Sequence, residues 1–150
     1  MRIGIDSSVL VAAMQVRHPL HAVARRWLVE HLGSDELWVT HHTLLECYAV
    51  LTGLPGQARI TGDEARRLID GTVRRRMKLA CFEPESVWAI VDVLAAGNVI
   101  GGRSYDAFAA EVLRQSGVEA IATFNPGDFM AVARDLLIID PTVPHDTSGC

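Results

Sequence analysis

Four acidic residues lie where predicted strands end or predicted helices begin. They are Asp6, Glu46, Asp106 and Asp128, and they are spread over nearly the whole chain. Carboxylates repel one another when they are crowded together, and a hard divalent cation offsets that repulsion. If the four acids meet at one edge of one sheet, their oxygens would form a metal site.

The first two acids each have an ordinary structural explanation. Asp6 follows the apolar segment IGI, where a carboxylate can accept backbone N–H bonds as a strand turns into a helix. Thr43 and Glu46 have the spacing of a capping box, but Thr40 directly follows the preceding strand and is the better cap. With Thr40 as the cap, Glu46 would point out from the second turn of the helix.

The last two acids also have local explanations. Asp106 comes two residues after Ser104, a potential helix cap, and a negative charge there suits the helix dipole. Asp128 closes an Asn-Pro-Gly-Asp turn with proline at its preferred second position. These explanations account for each acid singly, whereas a shared site accounts for all four together.

Other kinds of catalytic site fit the sequence poorly. His41 and His42 have no matching set of histidines or cysteines for zinc, and no H-E-x-x-H motif occurs. The chain also lacks a glycine-rich phosphate loop and a G-x-S-x-G motif. A phosphatase of the haloacid dehalogenase type needs a second aspartate two residues after the first, where this chain has Ser8.

The elements that must position the acids alternate along the chain. Predicted strands cover 2–5, 36–39, 77–82, 118–123 and 135–140, and predicted helices cover 9–14, 19–32, 41–51, 62–75, 85–96 and 105–115. This alternation is typical of an α/β fold, a three-layer α/β/α domain with a central, mainly parallel sheet. Ligands of such sheets bind beyond the carboxyl ends of the strands, where the four acids are expected.

Several residues are expected to be structural. Trp27, Trp38 and Trp88 each fall in apolar stripes, so they are predicted to lie in the core, and Cys47 is predicted to be buried and inert. The three cysteines are far apart and form no C-x-x-C motif, which favours a cytoplasmic chain with reduced thiols. The N-terminal segment does not resemble a signal peptide, and no apolar run approaches the roughly 20 residues of a membrane span.

Length and charge suggest one domain without a general attraction to nucleic acid. The chain has 150 residues and a net charge of −4, and we expect a domain over 1–140 followed by a flexible tail over 141–150. Six of the fourteen basic residues lie within 66–78. That segment is either an RNA contact or the solvated face of a surface helix.

Four stretches of sequence resemble a known family. They are IDSSVL at 5–10, TLLE at 43–46, SYDAFAA at 104–110 and TFNPGDF at 123–129. Together they resemble the PIN domain, and within it the VapC-type toxins of bacterial toxin–antitoxin pairs, over roughly residues 1–140. The last two stretches, at this separation near the C-terminus, are the more specific.

The resemblance implies a set of metal-site positions. Asp6, Glu46 and Asp106 correspond to the acidic positions of the family. The fourth position is either Asp128 or Asn125. If it is Asp128, this residue carries the fourth charge and Asn125 is a neutral ligand. The implied cofactor is Mg²⁺ or Mn²⁺, in one or two sites. Hydroxyl groups that could hold the carboxylates or a metal-bound water come from Ser8 and Thr123.

The resemblance also implies an activity and partners. The expected activity is that of an endoribonuclease toxin, which hydrolyses RNA phosphodiester bonds with water activated by the metal. The expected partners are the RNA substrate, a VapB-type antitoxin and a second copy in a homodimer, with the helices over 43–51 and 62–75 as candidate contacts. The alternative is a PIN-like module that binds RNA or metal without cleavage.

Overall fold

The computed structural model describes residues 1–133 and 135–144. The strands are β1 (Arg2–Ile5), β2 (Glu36–Thr40), β3 (Lys78–Ala80), β4 (Ala120–Ala122) and β5 (Leu137–Ile139). The α-helices are α1 (Ser7–Met14), α2 (His21–His31), α3 (His41–Gly53), α4 (Gly62–Ile69), α5 (Ser86–Ala96), α6 (Arg103–Gln115) and α7 (Pro126–Met130). A 3₁₀ turn forms at Gly56–Ala58, and a π-helical turn at Asp70–Arg74 extends α4.

The five strands form one parallel sheet in the order β3-β2-β1-β4-β5. The chain runs from β1 outward to β3 and then crosses to β4 and β5 on the other side. The strand order therefore reverses between β1 and β4, and a crevice is expected at their carboxyl ends. The predicted α/β/α architecture with a central parallel sheet is confirmed.

The sheet buries a hydrophobic core on each face because its side chains alternate between the two sides. Ile3, Ile5 and Val39 belong to one core, which α1 to α4 cover. Ile121 belongs to the other, which α6 covers together with Phe129, Ala133 and Leu136. Gly4 allows β1 and α6 to approach closely, because a Cβ at that position would lie 2.5 Å from Leu113 Cδ1.

Two sequence predictions about the second half of the chain are wrong. Trp88 is 67% exposed on α5, because this helix buries only Ile90 and leaves most of its apolar surface outside the core. Ser104 is not the cap of α6, which begins at Arg103 after Gly102. The Ser104 hydroxyl instead donates a hydrogen bond of 2.7 Å to the carbonyl oxygen of Gly101, inside the first turn.

Three of the six basic residues of the segment 66–78 pair with acids of their own helix. Arg66 contacts Asp63 and Asp70, Arg67 contacts Asp63, and Arg74 contacts Asp70, all at helical spacing. This pairing favours the solvated face of a surface helix over an RNA contact for these three arginines.

The remaining structural predictions concern the tail and the membrane. Residues 141–144 form a turn in which Pro141 is buried, whereas positions 145–150 lie outside the described residues. None of the helices in the described ranges combines the length and apolar character needed to cross a membrane.

Candidate active site

A cleft of about 660 Å³ opens at the carboxyl ends of β1 and β4, where the strand order reverses. All five predicted site residues line it: Asp6, Glu46, Asp106, Asn125 and Asp128. They come from the end of β1, from α3, from the first turn of α6 and from the start of α7. The fold therefore brings together acids that are up to 122 positions apart in the sequence, as from Asp6 to Asp128.

Asp6 is held at the end of β1 by hydrogen bonds from both its backbone and its side chain. Its backbone N–H donates to the carbonyl oxygen of Ala122 at 3.0 Å, which continues the pairing of β1 with β4. Its side chain caps α1 by accepting a hydrogen bond from the backbone N–H of Ser8 at 3.3 Å. Asp6 is therefore the cap of α1, as its position after the strand predicts.

The two carboxylate oxygens of Asp6 have different surroundings. Oδ2 accepts hydrogen bonds from the hydroxyls of Ser8 at 2.6 Å and Thr123 at 2.9 Å. Among the described residues, Oδ1 has only a long contact of 3.5 Å with the Ser7 hydroxyl. Oδ2 therefore fixes the orientation of the group, while Oδ1 retains most of its capacity to bind a ligand.

Ser8 and Thr123 also hold the loop after β4. The Ser8 hydroxyl accepts from the backbone N–H of Phe124 at 3.1 Å, and the Thr123 hydroxyl accepts from the backbone N–H of Asn125 at 3.0 Å. Thr123 is fully buried. These hydroxyls thus connect Asp6 to the segment that carries Asn125, which confirms their predicted role as partners of a carboxylate.

Asp106 reports the electrostatics of the whole cleft. Burial and then the negative charges of Asp6, Asp128 and Glu46 raise the pKa of Asp106 from 3.8 to about 6, and His42 opposes the shift. Among the described residues, the Asp106 side chain has neither a hydrogen bond nor an ion pair that would offset this repulsion. A positive charge in the cleft would therefore be favourable at neutral pH.

Glu46 projects from the second turn of α3, as predicted from the Thr40 cap. The Thr40 hydroxyl accepts from the backbone N–H of Thr43 at 3.0 Å, so Glu46 does not form a capping box. Its side chain is 45% exposed and lies one helical turn from His42, with 3.9 Å between Glu46 Oε2 and His42 Nε2. This exposure leaves the Glu46 carboxylate able to move toward the other acids.

Asn125 and Asp128 are close in the chain and lie at the start of α7. The predicted Asn-Pro-Gly-Asp turn is present, since the backbone N–H of Asp128 donates to the carbonyl oxygen of Asn125 at 3.1 Å. The turn continues into α7, with Pro126 as the first helical residue. Asn125 and Asp128 are both exposed in the cleft, so either side chain can reach a ligand there.

The acids are not packed into a closed cage. Within the described residues, no group of three or more His, Cys, Asp or Glu side chains is close enough to hold a metal ion in this arrangement. The donor set itself, four carboxylates and an amide oxygen, matches the oxygen ligands that Mg²⁺ and Mn²⁺ prefer. Metal ligation by these residues remains a prediction.

The cleft has further lining residues that the sequence reasoning did not single out: Ser7, Ile100, Gly102, Arg103, Tyr105 and Phe129. Arg103 and Tyr105 are exposed and lie within three positions of Asp106. Their position within one helical turn of Asp106 was the sequence signal that could have identified them as cleft residues.

Cys47, beside Glu46, is buried, and burial followed by the Glu46 charge raises the pKa of its thiol to about 12. The inert role predicted for Cys47 fits that environment.

Comparison with known sequences places the chain in a family. The family model described as "PIN domain" matches residues 3–135. Ribonuclease VapC24 of Mycobacterium tuberculosis is 34% identical over 129 residues, which are 85% of this chain and 88% of that protein. Ribonuclease VapC27 of the same organism is 30% identical over 108 residues, which are 72% of this chain and 74% of that protein.

Solved structures share the fold at lower identity. One is VapBC2 from Rickettsia felis bound to a DNA fragment from its promoter, with a TM-score of 0.67, 14% identity, and coverage of 93% of this chain and 98% of that chain. Another is Mycobacterium tuberculosis VapC20, described as a Sarcin-Ricin loop cleaving toxin, with a TM-score of 0.63, 15% identity, and coverage of 79% and 86%. The protein with this sequence belongs to the PIN domain family, among the VapC-type ribonucleases.

Proposed function

We propose that the protein is a metal-dependent endoribonuclease that acts as the toxin of a toxin–antitoxin pair. The observation that carries the proposal is the convergence of four carboxylates on one cleft, where burial and the charges of the other three raise the pKa of Asp106 to about 6. Membership among the VapC-type ribonucleases supports RNA as the substrate.

Mg²⁺ or Mn²⁺ fits the residues of this cleft. Asp6, Glu46 and Asp106 would hold the ion, with Asp128 or the amide oxygen of Asn125 in the fourth position. Such an ion supplies Lewis acidity, which lowers the pKa of water and neutralises charge on the phosphate. The ion would draw these side chains together, and the exposed side chains of Glu46 and Asp128 have room to change rotamer.

The protein's own groups orient the reaction. Ser8 and Thr123 keep Asp6 fixed, so that its Oδ1 does not need to be reoriented when substrate arrives. A carboxylate of the cleft positions the attacking water and accepts its proton. Because the nucleophile that attacks the phosphorus is water and not the 2′-hydroxyl of the RNA, the products carry a 5′-phosphate and a 3′-hydroxyl.

The proposed partners are a VapB-type antitoxin and a second copy of the chain, and the proposed location is the cytoplasm. Exposed apolar residues on α3, next to the cleft, support a protein contact: Leu45 is 70% exposed and Tyr48 is 42% exposed. The names of the VapBC structures that share the fold support an antitoxin as the occupant. Such a partner would present an apolar helix to this surface and a basic side chain to the acids.

Induced expression in a bacterial host lacking the antitoxin tests the proposed toxin activity. Wild-type protein should arrest growth and produce discrete cuts in cellular RNA, whereas Glu46→Gln should do neither at equal protein level. Glu85→Gln, at an exposed position outside the cleft, is the matched control and should behave as wild type. Growth arrest by Glu46→Gln without RNA cuts would instead indicate a non-catalytic RNA- or metal-binding module.

A further inference from the structure

Tyr105 stands out among the residues of the cleft that the proposed chemistry does not use. It is 59% exposed and directly precedes Asp106 on the first turn of α6. It lines the same cleft as the carboxylates. Single exposed aromatic residues are common on protein surfaces, so exposure alone would not assign it a role.

The Tyr105 ring is supported from one side by His42 of α3. The two ring centroids are 4.9 Å apart and the ring planes differ by 6°, which is a parallel stack. Because the two rings are stacked, His42 covers one face of the phenol ring. Of these two residues, only Tyr105 lines the cleft. A ring held in this way loses little rotamer freedom when a ligand packs against its other face.

The surroundings of Tyr105 suit a single-stranded nucleic acid. Proteins that bind single strands combine cationic groups for the phosphates with aromatic rings on which bases stack. Arg103 is exposed in the same cleft, two positions before Tyr105, and supplies such a cationic group. Tyr105 and Asp106 both line this cleft, so a base stacked on the ring would belong to a nucleotide close to the scissile phosphate.

We propose that Tyr105, backed by His42, is a stacking platform for an unpaired base of the RNA substrate, next to the cleavage position. The proposal deepens the function proposed above and rests on it. It identifies the substrate as RNA with an unstacked base at this position, such as a single strand or a loop, since bases inside a duplex do not expose their faces. Tyr105 would then act in substrate binding and positioning rather than in the chemical step.

Binding of RNA without cleavage tests the platform. The protein would carry Asp106→Asn, and a fluorescent single-stranded RNA of randomised sequence would be titrated in the presence of Mg²⁺. Tyr105→Phe keeps the aromatic face and should change the Kd less than about twofold. Tyr105→Leu keeps apolar bulk without that face and should weaken binding roughly 5- to 150-fold, the range measured when stacking aromatics are removed.

Trp88→Leu is the control, because Trp88 is 67% exposed but lies outside the cleft. It should leave the Kd unchanged, and circular dichroism should show the same fold for all variants. Wild-type affinity in Tyr105→Leu would overturn the proposal. Equal losses in Tyr105→Phe and Tyr105→Leu would also overturn it, because they would assign the effect to the hydroxyl group.

Steady-state cleavage by Tyr105→Leu in the otherwise wild-type protein gives a second readout. A ground-state platform predicts a raised KM with kcat within about threefold of wild type. These outcomes are separate from the proposed function: cleavage by the Asp106→Asn protein would contradict the assigned metal site, and the steady-state comparison of Tyr105→Leu with wild type would still test the stacking. An unchanged Kd in Tyr105→Leu, together with normal metal-dependent cleavage by wild type, would refute the stacking proposal and leave the proposed nuclease function standing.

Discussion

Replacing Asp106 by asparagine should stabilise the metal-free protein while abolishing RNA cleavage. In the folded chain, burial and the charges of Asp6, Asp128 and Glu46 raise the pKa of Asp106 from 3.8 to about 6. The folded state therefore binds the proton more tightly than the unfolded state does. Stability then falls as pH rises from about 4 to above 6, and the full cost is present at neutral pH. Asparagine cannot ionise and avoids this cost.

The size of the effect follows from the shift. A change from 3.8 to about 6 corresponds to roughly 3 kcal/mol at about 1.4 kcal/mol per pKa unit. Asp106 is only half-buried, so solvent screens its interaction with the neighbouring charges. We therefore expect Asp106→Asn to raise the free energy of unfolding by about 1–2 kcal/mol. For a chain of this length that corresponds to a rise in Tm of roughly 2–8 °C. Asparagine sacrifices no hydrogen bond found among the described residues.

Thermal unfolding in EDTA at pH 7.5 and at pH 4.5 measures this effect. Asp106→Asn should melt above wild type at pH 7.5, and the gap should narrow at pH 4.5, where wild-type Asp106 takes up its proton. Asp92→Asn, on the exposed side of α5, should show no such gap. Added Mg²⁺ should reverse the order, because an ion at 100 times its Kd stabilises wild type by about 2.7 kcal/mol and Asp106→Asn much less.

Two results would refute this reasoning. One is an Asp106→Asn protein that melts at or below wild type in EDTA at pH 7.5 while keeping the native circular dichroism spectrum. The other is a gap of equal size at both pH values, which would show that the stabilisation does not come from the charge.

Three further predictions concern the same cleft. Thr123→Val removes the hydroxyl that donates to Asp6 at 2.9 Å, so Mg²⁺ affinity measured by calorimetry should fall about 10-fold and unfolding free energy by roughly 1–3 kcal/mol. Asp128→Ala should weaken Mg²⁺ binding more than Asn125→Ala if Asp128 supplies the fourth charge, and a titration of both variants decides between the two positions. Arg103→Ala should weaken single-stranded RNA binding and reduce the slope of log K against log salt by about 0.7, as expected for one lost phosphate contact.

Controls separate these effects from general destabilisation. Thr142→Val removes an exposed hydroxyl that donates to Asp140, and neither residue lines the cleft, so it should leave Mg²⁺ affinity unchanged. Arg17→Ala, at an exposed position outside the cleft, should keep the wild-type salt slope. Equal Mg²⁺ affinity in Thr123→Val and wild type would contradict the orienting role assigned to the buried hydroxyl. A larger loss in Asn125→Ala than in Asp128→Ala would move the fourth position to the amide.

The sheet and the meeting of the acids were predictable because the relevant signals are local. Apolar segments such as Ile3–Ile5 end at a polar residue, and parallel strands bring their carboxyl ends to one edge. Five strands and the cap at Thr40 followed from such patterns. The strand order did not, because it depends on which crossover each helix makes, and no short stretch of sequence encodes that.

The errors arose where tertiary packing overrides local pattern. Trp88 belongs to an apolar stripe, but the stripe of α5 is wider than the surface that covers it, so the ring is exposed. Ser104 is a good capping residue by type, yet the positive φ of 63° at Gly101 lets the chain turn earlier and begin α6 at Arg103. The contact between His42 and Tyr105 joins α3 and α6 and has no signature in either segment alone.

The most direct measurement uses purified protein, freed of any partner, and end-labelled cellular RNA. Cleavage would be compared in Mg²⁺, in Mn²⁺ and in EDTA, with Asp106→Asn alongside, and the product ends would be identified. We predict discrete cuts that require a divalent ion and Asp106 and that leave 5′-phosphate and 3′-hydroxyl ends. Cuts that persist in EDTA, or that Asp106→Asn makes at the wild-type rate, would contradict metal-dependent hydrolysis at the carboxylate cleft.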